Sequence, residues 1–271
     1  MLYIHENNFD TKINTTIENK KQVNGYHNLK PELTSFKHDY YIPFKNKMLQ
    51  IEFDAKRSDS FKEAASVINN YALQLSRFIS TYKITSQCKL ESTLLEELSV
   101  YLFKDIPEIK NHTFGIFNKK IYAGLKIDSN HNLTTINKDV DFCIGKKSII
   151  TIDRQSPIEI IVPIVAVECK TYMDATMFGE IKSSSKAIKS ASPNAKAYVL
   201  MGYKDLADEH IIAARQDSTL DELFALKKSK NSEIDYHVLF DYWTEIRNAI
   251  SSVAQENVVP KHGRLLNTNN S

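Results

Sequence analysis

The tripeptide acid-x-Lys begins at Asp10, Glu18, Asp54, Glu108, Glu168 and Glu180, so the pattern alone carries little information. Its setting separates one occurrence from the rest. Glu168-Cys169-Lys170 closes a continuous apolar run that reads as a buried strand, and strand alternation places Glu168 and Lys170 on one side. In a parallel or mixed α/β sheet, ligands commonly sit at the carboxyl end of a central strand. Asp141, in Lys138-Asp139-Val140-Asp141-Phe142-Cys143-Ile144, is expected inside a short strand, with Val140 and Phe142 facing away and its carboxylate in reach of Glu168. Two carboxylates from adjacent strands plus one nearby amine suit phosphodiester hydrolysis. The carboxylates can hold Mg²⁺, which takes oxygen ligands and keeps several waters; the ion polarises the phosphate and lowers the pKa of a bound water. Lys170 can position that water and stabilise charge on the phosphoryl oxygens, and a desolvated amine shifts its pKa downward. The same residues also read as a strand-end salt bridge between Glu168 and Lys170, with Asp141 as a strand-edge acid.

Positioning such a group takes a sheet. Residues 114–117, 120–127, 140–144, 148–152 and 158–169 are β-rich runs punctuated by Asn, Asp, Gly, Ser and Pro, which predicts a mixed sheet. Pro163 is expected to break the last run and leave residues 164–167 as a central strand apolar on both faces. A helix follows, with Met177, Ile181, Ala187 and Ile188 on one side and Lys182, Lys186 and Lys189 on another, ended by Ser192-Pro193-Asn194. Residues 197–201 form the next buried strand, so 164–201 reads as a parallel strand-helix-strand unit. Residues 223–226 are compatible with a further strand, and 236–253 read as a closing helix with Leu239, Phe240, Trp243, Ile246 and Ile250 on one stripe. Upstream, apolar residues from Phe61 to Tyr82 step by three and four, describing a long amphipathic helix; a second starts at a Ser92 N-cap and ends before Pro107. Residues 1–55 show no sustained period and are expected to be an irregular arm with at most one short helix. The order helices, sheet, strand-helix-strand, helix argues for a single α/β (α+β) core with a helical N-terminal elaboration.

Val140-Asp141-Phe142-Cys143-Ile144-Gly145, followed by Ile160-Ile161-Val162-Pro163-Ile164-Val165-Ala166-Val167-Glu168-Cys169-Lys170, resembles the catalytic core of the PD-(D/E)XK restriction endonucleases, and more narrowly the BbvCI and DdeI group. The similarity extends upstream through Leu94-Leu95-Glu96-Glu97-Leu98 and downstream from Leu220-Asp221-Glu222-Leu223 to Asp241-Tyr242-Trp243; Val140 stands where the superfamily name has proline. The resemblance implies Mg²⁺ held by Asp141, Glu168 and the Cys169 carbonyl, with Lys170 as the catalytic lysine. Such folds often add an acid from an upstream helix. The apolar stripe of that helix centres near Leu98, putting Glu97 on its border and Glu96 nearly opposite, so Glu97 is favoured over Glu96 as a further metal or water ligand, while an ordinary solvated helix acid is the slightly stronger reading of it. The face carrying Lys182, Lys186 and Lys189 reads as a solvated face or as a contact to DNA phosphates. Cys169 reads as a small core residue and not as a nucleophile. The implied activity is type II restriction: cleavage of double-stranded DNA at a short specific site, by a homodimer or with a related subunit, beside a cognate DNA methyltransferase. The alternatives are a nuclease of the same superfamily without site specificity, acting in repair or phage defence, and a non-catalytic DNA-binding subunit.

On this reading residues 1–55 form the arm and 56–271 a single nuclease domain, with 56–110 helical and 111–271 carrying the catalytic sheet and its flanking helices. The 271 residues are 42% hydrophobic and 25% charged, the make-up of a globular chain. A formal charge of +2 does not by itself advertise a polyanion partner. Seven glycines give no support to a glycine-rich phosphate loop, and Cys88, Cys143 and Cys169 lack zinc-finger spacing and cannot all pair. A reducing cytoplasm is expected, and no window is apolar enough for a membrane helix.

Overall fold

The continuous apolar run ahead of Glu168 forms the third strand of a five-stranded sheet. The structure, a computed structural model, describes residues 2–18, 29–151 and 156–255. Its strands are β1 (Gly115–Phe117), β2 (Ile121–Ile127), β3 (Leu133–Lys138), β4 (Phe142–Ile150), β5 (Ile158–Met173), β6 (Lys196–Lys204) and β7 (Glu222–Ala225). The sheet runs β1-β4-β5-β6-β7, antiparallel on the β1 side of β5 and parallel on the other, so it is mixed, as expected. β2 and β3 form a separate antiparallel hairpin.

Pro163 does not end the strand. β5 runs unbroken for 16 residues, because its pairing with β6 begins only at Val165 and the register with β4 shifts between Ile144 and Gly145, opposite the proline. Gly145 permits that shift: a Cβ on it would lie 2.4 Å from the Val162 carbonyl oxygen. Likewise residues 140–144 and 148–152 are not two strands. The intervening Lys146 and Lys147 pair in register with Val162 and Ile161, and Lys147 reaches Glu159 at 2.7 Å.

The helices are α1 (Ile4–Glu18), α2 (Lys30–Phe36), α3 (Ile42–Gln50), α4 (Ser58–Thr81), α5 (Leu90–Phe103), α6 (Pro107–Lys110), α7 (Ala175–Ala191), α8 (Asp208–Gln216) and α9 (Tyr236–Gln255). The long amphipathic helix, the closing helix and the strand-helix-strand unit β5-α7-β6 fall where the sequence places them. On one face of the sheet Phe142, Ile144, Val165, Val167, Cys169, Tyr198 and Leu200 join the apolar sides of α4, α5 and α9 in the main core. On the other face Cys143 and Ala166 pack with Ile188 of α7, and Val199 and Met201 with Phe178 and Ile181 of α7.

The described residues of the stretch expected to be irregular are largely helical and packed. α2 runs through a π-helical turn, Lys37–Tyr41, into α3, and Phe9, Phe36, Tyr41, Phe44 and Met48 are all buried. These side chains cover α5 on the side away from the sheet. That is why α5 is buried almost all round, from Thr93 through Phe103 except Glu96, where the sequence implied one apolar stripe. α5 also begins at Leu90, with Lys89 before it, and not at a Ser92 cap.

Replacing Gly145 by alanine drives a methyl group into rigid backbone and should cost about 2 kcal/mol or more. A lowered urea midpoint with an unchanged slope is the expected result; an unchanged midpoint would show that the approach of β5 to β4 is not tight.

Candidate active site

β5 outruns β4. Beyond the pair Phe142–Val167 no β4 residue remains to receive the N–H of Cys169, and the Asp141 side chain takes that place, its Oδ2 accepting the bond at 2.8 Å. Asp141 therefore lies in the bend immediately before β4, and not inside a strand as the sequence suggested. Lys170 Nζ donates to Glu168 Oε2 at 3.1 Å and lies 3.6 Å from Asp141 Oδ2. Strand alternation thus does bring Glu168 and Lys170 to one side, and Asp141 meets both. The three side chains are 17% (Glu168), 27% (Asp141) and 31% (Lys170) exposed, which leaves them a shared opening to solvent.

The electrostatics are those of crowded acids. Burial and the Asp141 charge push the Glu168 carboxyl up to about 7, against the pull of Lys170. The Lys170 ammonium moves the other way from the sequence expectation. Burial lowers its pKa, but Asp141 and Glu168 outweigh burial and the net shift is upward, so the lysine is the cation that holds the two acids together.

The acid that α5 contributes is Glu96 and not Glu97. Burial and the Asp141 charge raise Glu96 to about 7, opposed by Lys89, Lys170 and Lys119. Glu97 is 0% exposed and turned toward the N-terminal helices. Its Oε1 accepts from Tyr41 and Tyr101 hydroxyls at 2.7 and 2.6 Å, and its Oε2 from the backbone N–H of His5 and Glu6 at 2.8 and 3.3 Å. Those N–H groups belong to the first turn of α1, where an anion satisfies donors that have no partner within the helix. Glu97 is thus a cap, and the correction follows from α5 being covered on both sides.

A profile of the Bpu10I restriction endonuclease family matches residues 87–254, more than half of the chain, a stretch that includes Glu96, Asp141, Glu168 and Lys170. The chain belongs to that family. Its fold is similar to that of a solved structure described as the native BbvCI A2B2 tetramer at low resolution, with a TM-score of 0.61 and 15% identity over 91% of this chain and 98% of that one. No curated protein matches the sequence. Within the family's matched stretch, α4 and the N-terminal helices are not included, yet they hold α5 from behind.

The three lysines of α7 do not join the site. Lys182 pairs with Asp217 at 2.7 Å, and Lys189 with Asp221 at 2.7 Å and with the Ser218 carbonyl at 2.8 Å, tying α7 to the segment before β7. Lys186 is exposed. Cys169 sits in the core with its thiol pushed up by burial and the neighbouring acids, unsuited to nucleophilic attack, as expected. The tail residues Lys261-His262-Gly263-Arg264, another basic segment of the sequence, lie outside the described residues. Lys89 and Lys119, whose charges act on Glu96, escaped sequence reasoning because neither belongs to a motif.

A carboxyl raised from near 4.5 to about 7 holds a proton in the folded state that it loses in the unfolded state. Stability from this source is present below pH 4.5 and is lost as pH rises through 7. Without divalent cations, the stability of wild type relative to Glu168→Gln should therefore fall across that interval. Denaturant titrations at several pH values measure the difference, and a difference independent of pH would contradict the crowding.

Proposed function

We propose that this chain is the catalytic subunit of a type II restriction endonuclease that hydrolyses phosphodiester bonds of double-stranded DNA at a short specific sequence with Mg²⁺. The observation that carries the reading is the meeting of Asp141, Glu168 and Lys170 at the outrunning end of β5. Family membership supports it.

The donor set fits a hard divalent cation. Asp141 and Glu168 offer two carboxylates crowded enough to raise one pKa; among the described residues no group of three His, Cys, Asp or Glu side chains is set to hold a metal ion, so the remaining ligands would be the Cys169 carbonyl and water. The N–H and C=O of one strand residue point the same way, so the Cys169 carbonyl faces the Asp141 side, beyond the end of β4. Mg²⁺ held by these oxygens would polarise the phosphate and make a bound water acidic near neutral pH. Lys170, relieved of its duty as countercharge, donates to the attacking water and to the phosphoryl oxygens as charge develops on them. Glu96 would take up the proton of the attacking water as the P–O bond to the leaving oxygen breaks, and a second water would protonate that oxygen.

One such site per chain cuts one strand, so cutting a duplex calls for two sites. BbvCI is described as an A2B2 tetramer; by analogy this chain acts as a dimer or with a related subunit, and its host protects its own DNA with a cognate methyltransferase. The free Cys88, Cys143 and Cys169 suit a reducing cytoplasm, and among the described residues no helix is long and apolar enough to cross a membrane.

Plasmid cleavage tests the reading. The purified chain, alone or with a co-expressed partner, should cut at discrete positions with Mg²⁺, stop with chelator, and bind without cutting in Ca²⁺. Lys170→Ala should lower turnover by 100-fold or more, roughly the ~10²–10³ that follows loss of one preorganised donor, with little change in DNA affinity. Undiminished cleavage in excess chelator, or by Lys170→Ala, would overturn it.

A further inference from the structure

Lys89 and Lys119 share two properties. Each is exposed and makes no ion pair among the described residues, while Lys182, Lys189 and Lys196 are taken up by Asp217 and Asp221. Each also has a left-handed backbone, with φ of 56° at Lys89 and 60° at Lys119. For a residue with a Cβ this costs on the order of 1 kcal/mol, which the surroundings must enforce.

Those surroundings fix the backbone of both lysines close to the acids. The Lys89 carbonyl accepts from the Thr93 N–H at 3.1 Å and the Thr93 hydroxyl at 2.7 Å, fixing the lysine at the start of α5. Glu96 follows seven residues later, about two turns along and on nearly the same side of the helix. Lys119 donates its N–H to the Val140 carbonyl at 2.7 Å, directly before Asp141. Both ammonium charges act on Glu96. Two unpaired cations thus flank the carboxylates from two different elements, on a surface that must admit a polyanion past a cluster of acids.

We propose that Lys89 and Lys119 form a clamp for the backbone phosphates on either side of the one to be cut. This rests on the nuclease reading and adds to it how the strand is held. The clamp carries no sequence information; it offsets the repulsion between acids and phosphates and fixes the strand's path over Lys170.

Each released phosphate contact lowers the slope of log affinity against log salt by about 0.9. Binding of a mixed-sequence duplex in Ca²⁺ across a salt series should give a slope smaller by about 1.8 for Lys89→Gln/Lys119→Gln than for wild type, with Lys186→Gln unchanged. Both side chains are exposed, so the double variant should fold, which its circular dichroism checks. An unchanged slope in the double variant, or an equal drop in Lys186→Gln, overturns the clamp; if wild type still cuts plasmid, the nuclease reading survives. A reduced slope with no cutting by wild type in Mg²⁺ retains the two phosphate contacts and overturns the nuclease reading, and with it their place beside a phosphate to be cut. Failure of wild type to bind duplex overturns both.

Discussion

Like charges forced together at the end of a buried strand are the constraint around which this molecule is arranged. Asp141 comes from the bend before β4, Glu168 from β5 and Glu96 from a helix; burial, and then the Asp141 charge, raise the carboxyl pKa of Glu168 and Glu96. The Cys169 N–H binds Asp141, Lys170 binds Asp141 and Glu168, and the Lys89, Lys170 and Lys119 charges oppose the shift of Glu96. That N–H is free because β5 extends past the start of β4, and the approach of β4 to β5 needs Gly145. Sheet register and site geometry are therefore one fact seen twice.

Behind the site, Glu97 does the opposite work to its neighbour. The two side chains leave α5 about 100° apart; Glu96 feels the Asp141 charge, while Glu97 enters a closed polar cluster. Four donors satisfy the Glu97 carboxylate, although burial still pushes its pKa up. His5 completes the cluster. Burial lowers its pKa to about 3, so the ring is neutral, and its two nitrogens lie 2.8 Å from the Thr93 hydroxyl and 2.7 Å from the Tyr71 hydroxyl. Because the Thr93 hydroxyl donates to the Lys89 carbonyl, Nδ1 carries the proton and Nε2 accepts. The N-terminal helices, α4 and α5 are thereby held in one register, and Lys89 with them.

Much of the site was legible because charge interrupts pattern there. Glu168 and Lys170 end an otherwise apolar run, so strand alternation places them on one side; Asp141 was expected inside a strand, but it reaches them from the bend before β4 by accepting the Cys169 N–H. The long helix α4 was legible from its three- and four-residue steps. The N-terminal helices were not, and their geometry gives the reason: the π-turn at Lys37–Tyr41 spaces Phe36 and Tyr41 by five residues, a period that a search for 3.6 discards. Strand β3 was missed because its side chains are half-exposed and polar. Choosing between Glu96 and Glu97 failed because the choice assumed a helix with one buried side. The partners of Lys182 and Lys189 lie 35 and 32 residues away, at Asp217 and Asp221, and no local pattern announces them.

The central claim is that these crowded oxygens are a divalent cation site and not a self-sufficient salt bridge. Anomalous diffraction from crystals soaked in Mn²⁺, which takes the same oxygen ligands as Mg²⁺, tests it without reference to any DNA sequence. The account predicts one strong peak per chain between Asp141 and Glu168, on the side of the Cys169 carbonyl and facing Glu96, with Lys170 displaced from between the acids. Lys170 still bridging Asp141 and Glu168 with no peak beside them, at Mn²⁺ concentrations that saturate cleavage, would contradict it.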